Sequence, residues 1–311
     1  TMDNSVSSTV GARRATRASL FGVGKIPTPY LLMAPTIVVL LAITIYPLIF
    51  SFNLSLRDYN IIKPHLGMPF IGLRNYADVL TSTTFQSDLI VTVKFVVGSV
   101  ALSVGLGVAL ALFFNHPIHG FNFIRTLILL PMITTPVVVG LIWRWLYNPE
   151  LGLIGYLLQA LGLGGQAWLT KGGSALFVLI LTDVWQWTPF VFLIVYAALQ
   201  GLPEEPYEAA QIDGASDWQV TWHVTLPQLL PTILIVTLLR TLMAIKIFDI
   251  IFIITMGGPG TSTESLSLYV YKMIFAYNHM GRAAAASFIM LILTILLVRV
   301  FFELLIKKQE E

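Results

Sequence analysis

Long apolar stretches alternate with short polar ones along most of the chain. A helix that spans a bilayer needs about 20 mainly apolar residues, and six stretches meet that requirement. They cover residues 31–56, 88–114, 124–146, 175–200, 229–255 and 282–306. Each is longer and more continuous than the alternating segments of about ten residues that are typical of a membrane β-barrel. The pattern predicts an all-α integral membrane protein with six transmembrane helices.

The composition changes this picture little and excludes several kinds of chemistry. Of the 311 residues, 56% are hydrophobic and 11% are charged, whereas about 25% are charged in a typical soluble domain. A net charge of +2 gives no reason to expect a nucleic-acid partner. The absence of cysteine excludes disulfides, thiol nucleophiles and cysteine-ligated metals. His116 and His119 share one short loop, which we interpret as solvated rather than as a metal site.

The two ends of the chain carry the evidence for its orientation. Residues 1–25 are rich in Ser, Thr and Arg and are predicted to form a flexible tail. A six-helix membrane domain over 26–306 and a short end over 307–311 follow. Basic residues flank the first and last spans: Arg13, Arg14, Arg17, Lys25, Lys307 and Lys308. The positive-inside rule then places both ends in the cytoplasm. The first span is too long for a signal peptide and is interpreted as a retained helix.

The loop between the fourth and fifth spans, residues 201–228, has the most distinctive sequence, and we name it the acidic loop. It contains five acidic residues and neither Lys nor Arg. Residues 208–212 favour a short helix, and Gly214 can take the left-handed conformation that ends one. A second amphipathic turn over 218–224 can follow. This pattern predicts either a linker helix along the membrane face or a docking site for a partner protein.

The spacing within the acidic loop resembles the EAA loop of ABC-transporter membrane subunits. The matching positions are Glu208, Ala209, Ala210, Gly214, Val224, Leu226 and Pro227. Further blocks at 130–152, 183–190 (D-V-W-Q-W-T-P-F) and 255–260 (T-M-G-G-P-G) are similar to permeases of binding-protein-dependent sugar importers. That class includes maltose, glycerol-phosphate and alginate importers, and the resemblance covers about residues 30–305.

The resemblance implies a fold, a function and a set of partners. The chain would be the permease subunit of an ATP-driven importer in a bacterial or archaeal inner membrane. It would pair with a second, similar permease, and an extracytoplasmic solute-binding protein would deliver a carbohydrate. A dimer of ATPase subunits would bind ATP and Mg²⁺, since this chain lacks a G-x-x-x-x-G-K-[ST] phosphate loop and has no cofactor or catalytic role of its own. The residues implied in ATPase coupling are Glu208, Ala209, Ala210, Asp213 and Gly214.

Six charged residues lie within the predicted spans, where each costs roughly 2.5–3.5 kcal/mol at a helix centre. They are Lys94, Arg144, Asp183, Arg240, Lys246 and Asp249. Their predicted depth is the middle or outer half of the bilayer, where an importer would hold its substrate, and Lys246 and Asp249 would share one helix face. Four basic and two acidic residues sum to +2, which favours an anionic substrate such as a uronate oligosaccharide. Internal ion pairs, such as Asp183 with Lys94 or Arg240, explain the same residues without a substrate.

Aromatic residues in the same spans can stack on sugar rings. The candidates are Trp143, Trp145, Trp185, Trp187 and Tyr196. Interfacial belts of Trp and Tyr account equally well for Trp143 and Trp145. Pro131, Pro136 and Pro189 are predicted to interrupt their helices, which requires compensation from inside the protein.

Two other classes of function remain open at this point. Asp183 and Asp249 would suit an ion-gradient-coupled secondary carrier, although that function leaves the acidic loop unexplained. A membrane enzyme would need a nucleophile with a base, or a metal constellation, and the sequence shows neither. The energy source, ATP or an ion gradient, separates the two transport hypotheses.

Overall fold

The computed structural model describes residues 28–63, 65, 67–115, 120–161 and 168–310, and these residues are largely helical. The helices are α1 (Thr28–Ser55), α2 (Arg74–Thr81), α3 (Thr83–Phe113), α4 (Phe121–Ile133), α5 (Pro136–Leu146), α6 (Leu153–Ala160), α7 (Gly172–Leu199), α8 (Glu205–Ile212), α9 (Asp217–Val220), α10 (Leu226–Ile245), α11 (Asp249–Ile254), α12 (Leu266–Phe275) and α13 (Met280–Glu310). A five-residue π-helix, Thr221–Thr225, joins α9 to α10. The all-α prediction is confirmed. The predicted tail over 1–25 and the His116–His119 loop fall outside the described residues.

Five helices of the described residues are long and apolar enough to cross a bilayer, and a bent pair supplies a sixth span. The five are Leu32–Ser55 within α1, α3, α7, the continuous segment Asp217–Ile245, and Met280–Glu303 within α13. The pair consists of α4 and α5. Contacts divide the chain into two units between Phe50 and Ser51, inside α1, and all contacts that form the sites lie in the second unit.

The predicted third span, 124–146, is interrupted at Pro136, as the sequence predicted. The segments Phe123–Ile133 and Pro136–Leu146 meet at an angle of 97°. Thr134 and Thr135 are extended, and Pro136 begins α5, where its missing N–H is not needed. Gln186 Nε2 on α7 donates a hydrogen bond to the Thr134 carbonyl at 3.1 Å, which satisfies a group that the break leaves without a helical partner.

The prediction for the fifth span, 229–255, is wrong in its second half. The helix α10 ends at Ile245 and α11 begins at Asp249. Lys246 lies at the C-cap of α10 and Asp249 in the first turn of α11, so the two do not share one helix face. In contrast, α4 continues through Pro131 and α7 through Pro189, so the interruptions predicted at these two prolines are absent.

The second halves of the two broken spans pack against each other. A Cβ atom on Gly140 of α5 would lie 3.1 Å from Cβ of Ile253 on α11, so the glycine permits the close approach. Arg144 Nη1 donates to the Ile253 carbonyl at 3.0 Å. A cation there also suits the negative end of α11. Arg144 therefore has a structural partner within its own chain.

The centre of the second unit is made by α3, α7 and α10. A Cβ atom on Gly107 of α3 would lie 2.6 Å from Cβ of Val191 on α7, which explains the need for glycine at this crossing. Two buried apolar clusters flank the middle of α7 and α10. One contains Leu179 and Ala244, and the other contains Val191 and Val236. Asp183 and Arg240 lie between the two clusters along their helices.

Candidate coupling loop and substrate pathway

The acidic loop begins with a short helix whose end is defined by glycine. Helix α8 runs from Glu205 to Ile212, with Pro206 in its first turn. Gly214 has φ +80°, the left-handed conformation that the sequence predicted. The N–H of Gly214 donates to the Gln211 carbonyl and that of Ala215 to the Ala210 carbonyl, both at 3.0 Å. These two bonds form a Schellman motif, which reverses the chain within three residues.

A second helix begins immediately after this turn. Ser216 Oγ accepts from the Gln219 N–H at 3.5 Å, and the Ser216 N–H donates to Gln219 Oε1 at 2.8 Å. This reciprocal arrangement is a capping box, and its S-x-x-Q spacing is a sequence signal that the prediction missed. Helix α9, the π-helix and α10 then continue without a break from Asp217 to Ile245. The second helix of the loop is thus one end of a membrane-spanning segment.

The surface of the acidic loop is open, and α8 buries none of its side chains. Glu208, Ala209, Asp213 and Gly214 are exposed, and Ala210 is half-buried. Large apolar side chains are also exposed: 86% of Ile212, 70% of Trp218 and 51% of Trp222. A shallow cavity of about 340 Å³ lies between the two arms of the loop and is lined by Ala210, Gly214, Gln219 and His223 among others. Exposed apolar residues ringed by polar ones are typical of a protein-interaction surface.

A buried polar cluster lies at the crossing of α3, α7 and α10. Arg240 Nη2 forms an ion pair with Asp183 Oδ2 and donates to Ser99 Oγ at 2.6 Å, while Ser99 Oγ donates to the same carboxylate oxygen. Arg240 and Ser99 are 0% exposed and Asp183 is 1% exposed. Of the two ion pairs predicted for Asp183, the structure contains the one with Arg240. Ser99 gave no sequence signal, since a lone serine in an apolar helix has many uses.

Trp187 connects this cluster to an accessible surface. The guanidinium carbon of Arg240 lies 5.9 Å from the ring centroid of Trp187, a cation–π geometry. Trp187 is half-buried and packs edge-on against Phe190 at 6.3 Å. The Arg240 guanidinium, which Asp183 holds in place, therefore helps to orient the Trp187 ring.

The other intramembrane charges are dispersed. Lys94 and Lys246 are exposed and Asp249 is half-buried. None of these three forms an ion pair within the part of the chain that the structure describes. Of the six charged residues predicted to gather at one depth, Asp183 and Arg240 neutralise each other. Arg144 binds a backbone carbonyl at the end of α11.

The remaining aromatic candidates fall into two groups. Trp143 packs against Tyr147 and Trp185, with ring centroids 5.3 and 5.4 Å apart. Trp185 also lines a mainly apolar cavity of about 430 Å³ beside Leu127 and Pro131 of α4. Trp145 is 60% exposed. Tyr196 stacks on Phe192 at 5.6 Å and lies under the Arg125 guanidinium at 5.8 Å. Trp143 and Trp185 thus lie near α5 and the cavity beside α4, whereas Tyr196 contacts Arg125 near the start of α4.

The described residues contain no group of three or more His, Asp or Glu side chains that could hold a metal ion. Gln186 is a residue that the prediction quoted within a motif but gave no role. Its side chain is fully buried and links α7 to the break between α4 and α5. In the sequence, the only indication of this role was an amide side chain between two tryptophans within an apolar span.

Comparisons with known proteins agree with this geometry. A family model described as "Binding-protein-dependent transport system inner membrane component" matches residues 103–310. The probable ABC transporter permease protein y4oQ of Sinorhizobium fredii is 38% identical over 82% of this chain and 82% of its own length. The trehalose/maltose transport system permease protein MalF of Thermococcus litoralis is 36% identical over 88% of this chain and 90% of its own. These relatives are permease proteins rather than enzymes.

A solved structure shares the fold. It is a bacterial alginate ABC transporter in complex with an alginate pentasaccharide-bound periplasmic protein, with a TM-score of 0.76 and 22% identity over 88% of this chain and 92% of that chain. The family match covers most of the chain, including the acidic loop and all of α7 and α10. This protein therefore belongs to the inner-membrane permease components of binding-protein-dependent transport systems.

Proposed function

We propose that this chain is one of two permease subunits of an ATP-driven importer that moves a carbohydrate across the cytoplasmic membrane. One observation carries the proposal: the acidic loop exposes its charged and apolar side chains while its second arm is continuous with α10. A surface of this kind can receive a partner and pass its movement directly to a spanning helix. In this proposal the acidic loop and both ends of the chain face the cytoplasm.

The partner at the loop is an ATPase dimer. Glu208, Ala209, Ala210, Asp213 and Gly214 form the docking surface, since they lie on α8 and its terminating turn. ATP and Mg²⁺ belong to the ATPase, whose closure would move α9, the π-helix and α10 as one body. Because α10 ends at Ile245, this movement reaches α11 only through the break at residues 246–248. That break and the one at Thr134–Thr135 are the places where the pore can change shape.

The substrate is a carbohydrate delivered by an external solute-binding protein. Two comparisons support this: the MalF relative is a trehalose/maltose permease, and the solved neighbour holds a sugar-loaded periplasmic protein. Trp187, Trp185 and Trp143 supply aromatic faces along the helices that surround the breaks. We assign them, with Arg240 behind Trp187, to the substrate pathway.

The charge of the substrate rests on fewer residues than the sequence indicated. Asp183 neutralises Arg240, and Arg144 is bonded to the Ile253 carbonyl. An anionic uronate would therefore be recognised by Lys94 and Lys246, with Asp249 opposing them. This distribution of charge favours a neutral sugar in the central pathway. Substitution of Lys94 tests whether an anionic sugar is also recognised.

The ion-coupled carrier is less well supported by the geometry. A relay carboxylate must gain and lose protons, whereas Asp183 is buried against Arg240 and Ser99. Asp249 begins α11, where the positive helix end favours its charged form. The carrier also gives no role to the exposed acidic loop.

The test is to purify the chain with its neighbouring gene products and to assay the complex in liposomes. We expect ATP hydrolysis to rise when one binding protein loaded with trehalose, maltose or an alginate oligosaccharide is added. Glu208→Lys should abolish uptake but leave the membrane unit folded, whereas the matched charge reversal Glu150→Lys, at an exposed site outside the loop, should not. Uptake that follows a proton gradient, with no ATPase in the complex, would overturn the proposal.

A further inference from the structure

A second aromatic site lies away from the central cluster, between α11 and α12. A cavity of about 290 Å³ opens there, lined by Phe252, Met256, Tyr271, Lys272 and Phe275 among others. Ile250, Ile251 and Leu268, on the same two helices, pack in one cluster with Leu179 of α7. Leu179 is one turn from Asp183, on the side away from the acidic loop. The cavity therefore lies beyond the central cluster as seen from the proposed ATPase.

The aromatic rings at this cavity form a connected stack. Phe248 and Phe252 are stacked at 5.2 Å with 17° between their planes, and Tyr271 lies 5.2 Å from each of them. Phe275 lies 4.8 Å from Tyr271. Each ring is held by the next, so the orientation of the open faces is fixed before any ligand arrives. Phe275 is 67% exposed and Met256 is 58% exposed, which leaves the stack accessible at one end.

Lys272 is the one charged residue among those that line this mainly apolar cavity. Lys272 Nζ pairs with Glu264, whose side chain is 3% exposed, while the lysine side chain remains 26% exposed. Lys272 reaches this position across Gly257, where a Cβ atom would lie 3.3 Å from Nζ. An ammonium group has three donors, and the carboxylate orients it without using all of them. The ion pair thus presents a positioned donor to the cavity.

We propose that this cavity binds one sugar ring of the substrate before the substrate reaches Trp187. The aromatic faces of Phe252, Tyr271 and Phe275 would stack on the C–H face of a pyranose, since aromatic faces carry negative charge. Lys272 would donate to a ring hydroxyl. Small-ligand pockets begin at about 300 Å³ and combine apolar walls with a few polar groups, which suits one sugar unit. A lipid acyl chain would offer no hydrogen-bond acceptor to Lys272. This inference rests on the proposed carbohydrate transport.

The absence of cysteine from the chain makes a direct occupancy test available. The complete transporter with Met256→Cys is reacted in nanodiscs with a soluble maleimide, and the labelled chain is quantified by mass. The probe is whichever of trehalose, maltose or alginate trisaccharide stimulates the wild-type ATPase. We expect labelling to slow by about half at the half-saturating sugar concentration, since half of the sites are then occupied. Met68→Cys, also exposed but in the 56–73 loop, should label at the same rate with and without sugar.

Affinity gives a second readout. Phe275→Ala should raise the concentration of loaded binding protein needed for half-maximal uptake roughly 2- to 12-fold, which corresponds to one aromatic contact. Phe113→Ala, an equally exposed ring on α3, should leave that concentration unchanged. Two results overturn the inference: sugar-independent labelling of Met256→Cys, or no labelling in the complete transporter, because a partner subunit then covers the cavity. Wild-type uptake with either result would leave the proposed function standing and remove only this site.

Discussion

The buried cluster of Ser99, Asp183 and Arg240 and the acidic loop are both polar, but their polar side chains differ in exposure and in partners. In the cluster, the ion pair and the serine bond only to each other and are at most 1% exposed. In the loop, α8 buries no side chain and Trp218 and Ile212 face outward. Polar residues whose charges are paired within the chain are architectural. Those left open are available to a partner.

This difference implies that substitutions in the two regions have different effects. Removing one member of a buried ion pair leaves an uncompensated charge and is strongly destabilising. Substitutions on an exposed surface usually change stability by no more than about 0.5 kcal/mol. Variants of the cluster should therefore affect folding first, and variants of the loop should affect coupling in a folded protein.

The largest effect should come from breaking the buried pair. Arg240→Met leaves Asp183 charged and unpaired, and we expect a loss of about 3–5 kcal/mol in stability. The double variant Asp183→Leu with Arg240→Met removes both charges and should recover most of that loss. Thermal unfolding in detergent measures both. Arg299→Met, at an exposed pair with Glu303 on α13, should cost less than about 0.5 kcal/mol. A double variant as unstable as the single would show that an unpaired buried charge is not the cause of the loss.

The next effect should come from the turn that ends α8. At φ +80°, any residue with a Cβ atom is strained, by roughly 1–2 kcal/mol in the left-handed region. No atom lies within 4 Å of a Cβ atom built there, so Gly214→Ala tests conformation alone. We expect unchanged thermal stability of the membrane unit but reduced uptake per ATP hydrolysed.

Two variants serve as controls for that turn. Gly105→Ala adds a methyl group at an equally open position within the helix α3, where no positive φ is needed. Gly214→Asn should be milder than Gly214→Ala, because asparagine tolerates the left-handed region better. Equal coupling in Gly214→Ala and Gly105→Ala would contradict the role of the turn.

The acidic loop and the buried cluster also differ in how far their structure could be predicted from the sequence. The turn at Gly214 and the EAA-like spacing are local, since all of their determinants lie within about 20 residues. The ion pair joins residues 57 positions apart and depends on how α3 is rotated. Ser99 and Lys94 are five residues apart, about 140° around a helix at 100° per residue. Apolar length alone could not show that Ser99, rather than Lys94, faces α7.

The breaks in the third and fifth spans show the same limit. Length and apolar character predicted both spans, and their few charged residues do not mark where a helix breaks. Pro136 begins α5 at the first break, yet α4 continues through Pro131 and α7 through Pro189. The second break, at residues 246–248, contains no proline. There Ser265 Oγ donates to the Ile247 carbonyl at 2.9 Å, a partner that no pattern within the span records.

A smaller effect should come from the start of the loop's second helix. Ser216→Ala removes the hydroxyl that accepts the Gln219 N–H, and losing such a cap costs about 1 kcal/mol locally. Since α9 continues into α10, we expect the first turn to fray and coupling to weaken slightly, without loss of thermal stability. ATPase stimulation by loaded binding protein measures this. Ser216→Thr keeps the cap and should behave as wild type; a Thr variant as weak as Ala would point to a direct contact instead.

The smallest effect should come from Lys94, which belongs to neither region. It is exposed on α3 and forms no ion pair among the described residues. Lys94→Met keeps the length of the side chain and removes its charge, so we expect unchanged stability and unchanged uptake of maltose. If an anionic sugar passes this face, uptake of an alginate oligosaccharide should fall by up to about fivefold, since one exposed charge contributes at most about 1 kcal/mol. Equal uptake changes for the neutral and the anionic sugar would remove Lys94 from the substrate pathway. Lys246 would then be the remaining exposed cation of the four, because Arg240 is paired with Asp183 and Arg144 donates to the Ile253 carbonyl.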